Sequence, residues 1–218
     1  MFSTFSGYIA VDELYDGDTT LLSLVDNRNH RRIMFEILDH TPKQADIITF
    51  FKRFKREMEN RGCRLLGVTT DGSPLYPEAI RQVFGPVPHQ ICVFHVLKEI
   101  NKAILKAVAQ VRRDLGKELP KMPRGRPKGK EGRQAARKKS RLEHKIADIF
   151  KYRHVIVARH LSAEDQKNLA RISRGLPILR TLRTIADDVY RLFDRRCLMT
   201  TAQKKLGKLR KHLYSVNV

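Results

Sequence analysis

The chain has 218 residues and a formal net charge of +21, because 44 Lys and Arg residues outnumber 23 Asp and Glu residues. This length suits one domain that has a substantial core and carries an insertion. No apolar run approaches the roughly 18 residues of a membrane span, and the N-terminus lacks the pattern of a secretory signal. Three widely spaced cysteines (Cys63, Cys92 and Cys197) do not form a disulfide framework and are typical of reduced thiols inside a cell.

The charge is distributed unevenly along the chain. Residues 1–100 hold 12 basic and 13 acidic side chains, whereas residues 101–218 hold 32 basic and 10 acidic ones. A strongly cationic half attracts polyanions, and nucleic acid is the favoured partner. The alternative is a solvated basic surface that binds DNA only non-specifically.

The chain begins with a pattern of short strands. Three apolar runs, separated by turn residues such as Asp, Asn and Gly, predict an antiparallel meander. The three predicted strands cover residues 7–14, 19–27 and 31–38.

A helix and further α/β elements follow the meander. Thr41 suits an N-cap and Pro42 a first helical position, and apolar residues at helical spacing predict a helix that closes near Gly62. The next predicted elements are a strand over 64–70, a helix over 75–84, a strand over 89–94 and a helix from His95 to about residue 111. The order β-β-β-α-β-α-β predicts an α/β mixed sheet in which the ends of strands one and four lie side by side.

The second half contains no strand pattern. Residues 112–141 carry 13 basic and 3 acidic side chains, several Pro and Gly residues and no hydrophobic periodicity, which predicts a flexible basic segment. Helices are predicted over about 142–158, after a capping box at Ser162–Asp165, from Pro177 and over roughly 199–213. The predicted domains are therefore a core over 1–111, a linker over 112–141 and a helical region over 142–218.

Asp12 and Asp71 are the first candidates for chemistry. Each acid lies at the polar end of an apolar strand, where a carboxylate is costly unless it serves a partner. Two converging carboxylates supply the oxygen ligands that Mg²⁺ prefers, and paired metal ions support phosphoryl transfer. The residues alone leave a second interpretation open, in which both are ordinary strand-end acids and Asp71-Gly72 is a common turn.

Cys92 and His95 form a lone C-x-x-H pair. One such pair cannot fill a structural zinc site, which needs four ligands, and the other cysteines are far away in the sequence. The pair alternatively marks a strand-to-helix junction, from which His95 could reach the active site or a phosphate.

The segment PRGRPKGK (residues 123–130) matches the AT-hook pattern, a Gly-Arg-Pro core with flanking basic residues. Such arginines lie extended in the narrow minor groove of A·T-rich DNA. We therefore predict DNA contacts for Arg124, Arg126, Lys128 and Lys130. A plain basic linker is the alternative.

Three segments, taken in order, resemble the catalytic core of DDE transposases of the Mutator-like group and of their bacterial insertion-sequence relatives. They are GYIAVDELYDG (7–17), LLGVTTDGSPLYPEAI (65–80) and HQICVFHVLKEI (89–100). The resemblance implies a ribonuclease H-like fold with a basic, mainly helical insertion. It implies that Asp12 and Asp71 are catalytic ligands of Mg²⁺ or Mn²⁺, and that Cys92 and His95 form an accessory functional motif.

The chain also departs from the family pattern. A DNA-binding helix-turn-helix region generally precedes the core, yet only about six residues precede the first predicted strand. The family also places a catalytic Glu on a helix after the insertion, and neither Glu143 nor Glu164 suits that role. Asp187, Asp188 and Asp194 do not form a recognisable motif either. We therefore expect a fragment truncated at both ends, in which a missing third acid would weaken the second metal site.

The sequence thus predicts a transposase, or transposase fragment, that cuts DNA at the ends of an insertion element and transfers the freed strand to target DNA. DNA is the expected partner, the family suggests a homo-oligomer, and no membrane association is expected. A bacterial source would imply a cytoplasmic, nucleoid-associated protein. The alternatives are an inactive DNA-binding remnant and a ribonuclease H-fold nuclease that hydrolyses without joining.

Overall fold

The computed structural model describes residues 4–122, 124–125, 127–194 and 197–215. The chain divides into two compact units, Met1–Val96 and Leu97–Val218. The first unit contains all the strands found among the described residues, and the second is helical. The functional division into core, linker and insertion stays a prediction.

A five-stranded mixed sheet forms the first unit. Its elements are β1 (Tyr8–Asp16), β2 (Thr19–Asp26), β3 (Arg32–Leu38), α1 (Gln44–Glu59), β4 (Gly67–Thr70), α2 (Leu75–Phe84) and β5 (His89–Ile91). The strand order is β3-β2-β1-β4-β5, with β1–β2 and β2–β3 antiparallel and β4 parallel to both β1 and β5. This arrangement confirms the predicted α/β class and is consistent with a ribonuclease H-like domain.

Helix α1 packs its apolar side against the sheet. Phe50, Phe51 and Phe54 are fully buried and share one core cluster with Ile9 and Leu22 of the strands. Full burial of each such side chain contributes roughly 1.5–3 kcal/mol. The core therefore determines which face of β1 packs against the helices, namely the face that carries Ile9 and Val11.

The start of α1 differs from the prediction. Its N-cap is Lys43 and its first helical residue is Gln44, so Thr41 is not the cap and Pro42 is not the first helical position. The Asp46 carboxylate accepts a hydrogen bond from the Lys43 backbone N–H at 2.7 Å. This acid in the first turn satisfies a backbone group at the helix start, which a sequence pattern centred on Thr41 did not show.

Helices dominate the rest of the chain. They are α3 (Val93–Lys117), α4 (Gly129–Tyr152), a 3₁₀ turn (Arg153–Ile156), α5 (Ala163–Ser173), α6 (Pro177–Phe193) and α7 (Met199–Ser215). The capping box before α5 is confirmed, because the Ser162 and Asp165 side chains each accept the other's backbone N–H at 3.1 Å. Pro177 is the first residue of α6, as predicted. Over the described ranges, no helix combines the length and apolar character needed to cross a membrane.

The prediction of a flexible segment over residues 112–141 is mostly wrong. Among its described residues, only those within 118–128 lie outside helices α3 and α4. Residues 129–141 are rich in Lys, Arg and Ala, which favour helices even without an apolar stripe. Helix α4 buries few side chains, and its one buried residue, Ile149, lies near its end. This part of the helix therefore has no apolar periodicity from which it could be predicted.

A buried arginine organises the second unit. Arg183 of α6 is 9 % exposed. Its guanidinium forms an ion pair with Asp187 and donates to the backbone carbonyls of Val155 at 3.1 Å and Ala158 at 2.6 Å. Arg183 therefore ties α6 to the irregular chain that follows α4, and the carboxylate of Asp187 balances its buried charge.

A buried carboxylate plays a similar part in the first unit. Asp26, at the end of β2, is 2 % exposed and accepts hydrogen bonds from Ser6 N and Oγ and from the backbone N–H groups of Arg28 and Asn29, at 2.7–3.0 Å. Burial raises the pKa of this carboxyl, but the hydrogen bonds outweigh burial and hold the pKa at about 2. Asp26 is thus a structural acid that ties the N-terminal segment to the β2–β3 turn.

We expect Asp26→Asn to lower the free energy of unfolding by about 1–3 kcal/mol at neutral pH, because the charged acceptor of these bonds is lost. A depressed pKa stabilises the fold above the unfolded value of about 4, and this contribution is lost as the pH falls toward 2. The difference between wild type and Asp26→Asn should shrink across that window in denaturant titrations. Exposed Asp16→Asn is the control, and a difference that stays constant with pH would contradict the assignment.

Candidate active site at the end of the sheet

Two acids singled out in the sequence lie close together where the parallel pairing of β1 with β4 ends. The parallel pairing of β1 with β4 aligns Ala10 with Thr69, and Asp12 and Asp71 each come two residues later. Parallel strands have their carboxyl ends at one edge of the sheet, where ligands commonly bind. The fold therefore brings Asp12 and Asp71 together, as predicted from the order of the elements.

A third acid joins them. Asp12, Glu13 and Asp71, which we call the acidic cluster, each place one carboxylate oxygen within 4.8 Å of the other two. Asp12 is exposed, whereas Glu13 and Asp71 are half-buried. Among the described residues, this is the one group of three or more His, Cys, Asp or Glu side chains with metal-binding geometry.

Sequence reasoning missed Glu13. Ile9 and Val11 are the buried positions of β1, and Glu13 is the next residue on the same face of the strand. An acid that continues an apolar alternation pays a desolvation cost unless a partner holds it. That break in the alternation was the available signal, but the partner comes from a distant helix.

Tyr76 of α2 is the partner of Glu13. Its fully buried side chain donates a hydrogen bond from the hydroxyl to Glu13 Oε1 at 2.5 Å. Burial raises the pKa of Glu13, the bond from Tyr76 opposes this rise, and the negative charges of Asp71 and Asp12 add to it. Burial also raises the pKa of Tyr76, which keeps the hydroxyl a neutral donor. The cluster therefore concentrates negative charge at a partly desolvated site, which favours a bound cation.

The turn after β4 holds Asp71 in place. The Ser73 backbone N–H donates to Asp71 Oδ1 at 2.8 Å, a local bond typical of Asp in turns. Gly72 has φ of 99°, and a Cβ at this position would lie 3.1 Å from Ile91 Cγ2. Gly72 thus permits the turn, and the backbone N–H of residue 73 orients one carboxylate oxygen of the cluster.

Cys92 and His95 lie where the chain passes from β5 to α3, but not as predicted in detail. The fifth strand ends at Ile91 and α3 begins at Val93, so Cys92 lies between them and His95 lies in the first helical turn. The Cys92 backbone N–H donates to the Thr70 carbonyl at 2.6 Å, next to Asp71 in the chain. The buried His95 Nδ1 has no hydrogen-bond partner among the described residues. Neither side chain joins the acidic cluster, and their accessory role stays a prediction.

The predicted DNA-binding residues follow α3. Arg124 and Lys128 are exposed outside the helices, whereas Lys130 is an exposed residue in the first turn of α4 and not part of a flexible segment as predicted. Arg126 lies outside the described residues. The AT-hook-like contact with DNA stays a prediction.

The Tyr76–Glu13 bond can be tested directly. Tyr76→Phe removes the hydroxyl donor but keeps the buried ring, so the pKa of Glu13 should rise further above its ordinary value. A ¹³C NMR titration of the side-chain carboxyls, assigned with Glu13→Gln, measures this change. Tyr15→Phe on the exposed end of β1 is the control. An unchanged Glu13 titration in Tyr76→Phe would contradict the proposed bond.

Comparison with known proteins gives a context for this site. The model of a transposase family, the ISL3 family of the DDE type, matches residues 9–213 and so covers the acidic cluster and nearly the whole chain. This match supports the broader resemblance to DDE transposases but not the Mutator-like type, because ISL3 is a different family. The search of curated proteins returned no significant match. The chain belongs to the ISL3 family of DDE transposases.

Proposed function

We propose that this chain is the catalytic region of the transposase of an insertion element, with the acidic cluster as its active site. The observation that carries the proposal is the convergence of Asp12, Glu13 and Asp71 just beyond the parallel pairing of β1 with β4, within the part of the chain that matches the family. The proposed reaction is Mg²⁺- or Mn²⁺-dependent cleavage of DNA at element ends, followed by strand transfer to target DNA.

The donor set of the cluster fits a hard divalent cation. All three residues offer carboxylate oxygens, the ligands preferred by Mg²⁺ and Mn²⁺, and no soft sulfur or imidazole ligand belongs to the described cluster. Asp12 is exposed, which leaves room for water and for a substrate phosphate. When bound, such a cation polarises the phosphodiester and activates the attacking oxygen.

The protein would contribute position and charge. Asp12 and Asp71 approach the site from separate strands, whose pairing sets the spacing of the two carboxylates. Ser73 fixes Asp71 through its backbone N–H, and Tyr76 fixes Glu13 through its hydroxyl. This support leaves the carboxylates of Glu13 and Asp71 pre-oriented, so little reorganisation of these two groups is needed when the ligand binds.

DNA would be held mainly through contacts elsewhere. The acidic cluster repels phosphates in the absence of a cation, so affinity for DNA should come from basic side chains such as Arg124 and Lys128. Metal binding and DNA binding are therefore separable in this proposal. A contribution of Cys92 and His95 would come through the β5–α3 junction, where the Cys92 N–H bonds the residue before Asp71.

We expect Asp71→Ala to abolish Mg²⁺ binding and DNA cleavage while DNA affinity stays nearly unchanged. Asp71→Asn keeps an oxygen for the Ser73 N–H and so separates the lost charge from the lost turn, and it should still weaken metal binding by at least about 10-fold. Mn²⁺ binding followed by EPR, together with cleavage of a labelled duplex carrying the element ends, measures both effects.

The matched control is Asp18→Ala, an exposed acid in the β1–β2 turn. Unaltered Mn²⁺ binding in Asp71→Ala would remove the proposed role of the cluster. Cleavage without joining of ends in a strand-transfer assay would instead favour a nuclease. DNA binding without any metal-dependent cleavage by the wild type would favour an inactive remnant.

A further inference from the structure

A second charged feature lies in the helical unit, far in sequence from the acidic cluster and C-terminal to the AT-hook-like segment. It is an open groove of about 1060 Å³ beside α4 and the turn between α5 and α6. Five of its described lining residues are cations and none is acidic. The cations are Arg137, Lys138, Arg141, Lys145 and Arg174. We call this feature the α4 groove.

The cations of α4 form one stripe along the helix. Arg137, Lys138, Arg141 and Lys145 are spaced by one, three and four residues, so they share a face of the helix. The acids in the second half of α4 pair with cations outside this stripe. Glu143 lies 3.9 Å from Lys139, and Asp148 pairs with Arg171 on α5. The stripe therefore keeps its positive charge.

The two sides of the groove are held together by a lysine. Lys145 Nζ donates to the backbone carbonyls of Arg171 at 2.7 Å and Arg174 at 2.9 Å, at the C-terminal end of α5. Burial lowers the pKa of Lys145, and the nearby charge of Arg174 lowers it further. Lys145 thus builds the wall of the groove, while Arg137, Lys138, Arg141 and Arg174 make no ion pair with any described residue and are free to bind a ligand.

The dimensions favour an extended polyanion over a single anion. Arg137 and Lys145 are eight residues apart, which is about 12 Å along a helix. Duplex DNA presents roughly one phosphate charge per 1.7 Å of its axis, so a segment of this length offers several charges to the stripe. A smaller hollow of about 510 Å³ shares Arg174 with the groove and adds the exposed Arg180, which extends the positive strip.

We propose that the α4 groove binds the sugar-phosphate backbone of duplex DNA. The interaction would be independent of base sequence, because guanidinium and ammonium groups that pair with phosphates position a duplex without reading its bases. The choice of DNA rather than an acidic protein segment rests on the proposed function. The groove would hold DNA during the reaction without taking part in the chemistry.

The test compares two triple variants that remove the same charge. Arg137→Gln, Lys138→Gln and Arg141→Gln together neutralise the stripe but leave Lys145 and its bonds intact. Lys204→Gln, Lys208→Gln and Lys211→Gln remove three exposed charges from the equally basic helix α7. Fluorescence anisotropy with a labelled random-sequence duplex, in EDTA and over a series of NaCl concentrations, measures DNA affinity without any contribution from a metal.

We expect the groove variant to lose about 10-fold or more in affinity at 0.1 M salt, and its salt slope to fall by about 2 to 3. The α7 variant should change much less. Equal losses in both variants, or an unchanged slope in the groove variant, would overturn the proposal. Circular dichroism melting confirms that both variants fold.

Failure of this proposal and failure of the proposed function give different results. Groove-dependent DNA binding by a protein that never cleaves would leave the α4 groove in place and remove the catalytic proposal. Cleavage that requires Asp71, together with unchanged DNA affinity in the groove variant, would do the opposite. It would support the catalytic proposal and remove the role of the α4 groove. A groove variant that binds DNA normally but loses binding of polyglutamate would assign the groove to an acidic protein instead.

Discussion

The parallel pairing of β1 with β4 is the constraint on which the candidate active site depends. It places Asp12 and Asp71 at equal distances beyond the last aligned pair, Ala10 and Thr69. A slip of one residue would turn the side chains of a strand to the opposite face of the sheet and separate the two carboxylates. The pairing is held by the core that α1 and α2 form on one face, so the aromatic packing of the first unit supports the geometry of the acids.

Carboxylates serve two distinct purposes in the first unit, and their surroundings decide which. Asp26 is buried among N–H and hydroxyl donors that lower the pKa of its carboxyl, and its charge is fully used inside the fold. The acidic cluster has few donors for three carboxylates, and burial together with mutual repulsion raises the pKa of Glu13. A carboxylate that accepts several hydrogen bonds inside the fold stabilises the structure. A group of neighbouring carboxylates with few hydrogen-bond donors is instead stabilised when a cation binds.

Charge is also divided between the two halves of the chain, and this division is compatible with the proposed function. The negative cluster belongs to the nearly neutral first hundred residues, and the unpaired cations of the α4 groove belong to the strongly basic remainder. Phosphates are repelled by carboxylates unless a cation is bound, so attraction and chemistry require different surfaces. Within the second unit, the Arg183 guanidinium is paired with Asp187 and with backbone carbonyls. Arg137 and Arg141 form no ion pair with a described residue, so their charges are available to a partner.

The sequence by itself determined the order of most elements, because apolar alternation and turn residues are local signals. That order predicted a mixed sheet on which Asp12 and Asp71 could be neighbours, and the sheet pairing brought them together. The sequence also located the basic half, since net charge needs no structure. Only the tertiary structure decided that Glu13 joins the cluster, because its partner Tyr76 comes from a helix 63 residues later. The tertiary structure also decided that residues 129–141 are helical, because a basic helix with little buried surface has no hydrophobic periodicity in its sequence. It decided as well that cations of α4 line a groove, because the other side of the groove comes from the α5–α6 turn, which is distant in the sequence.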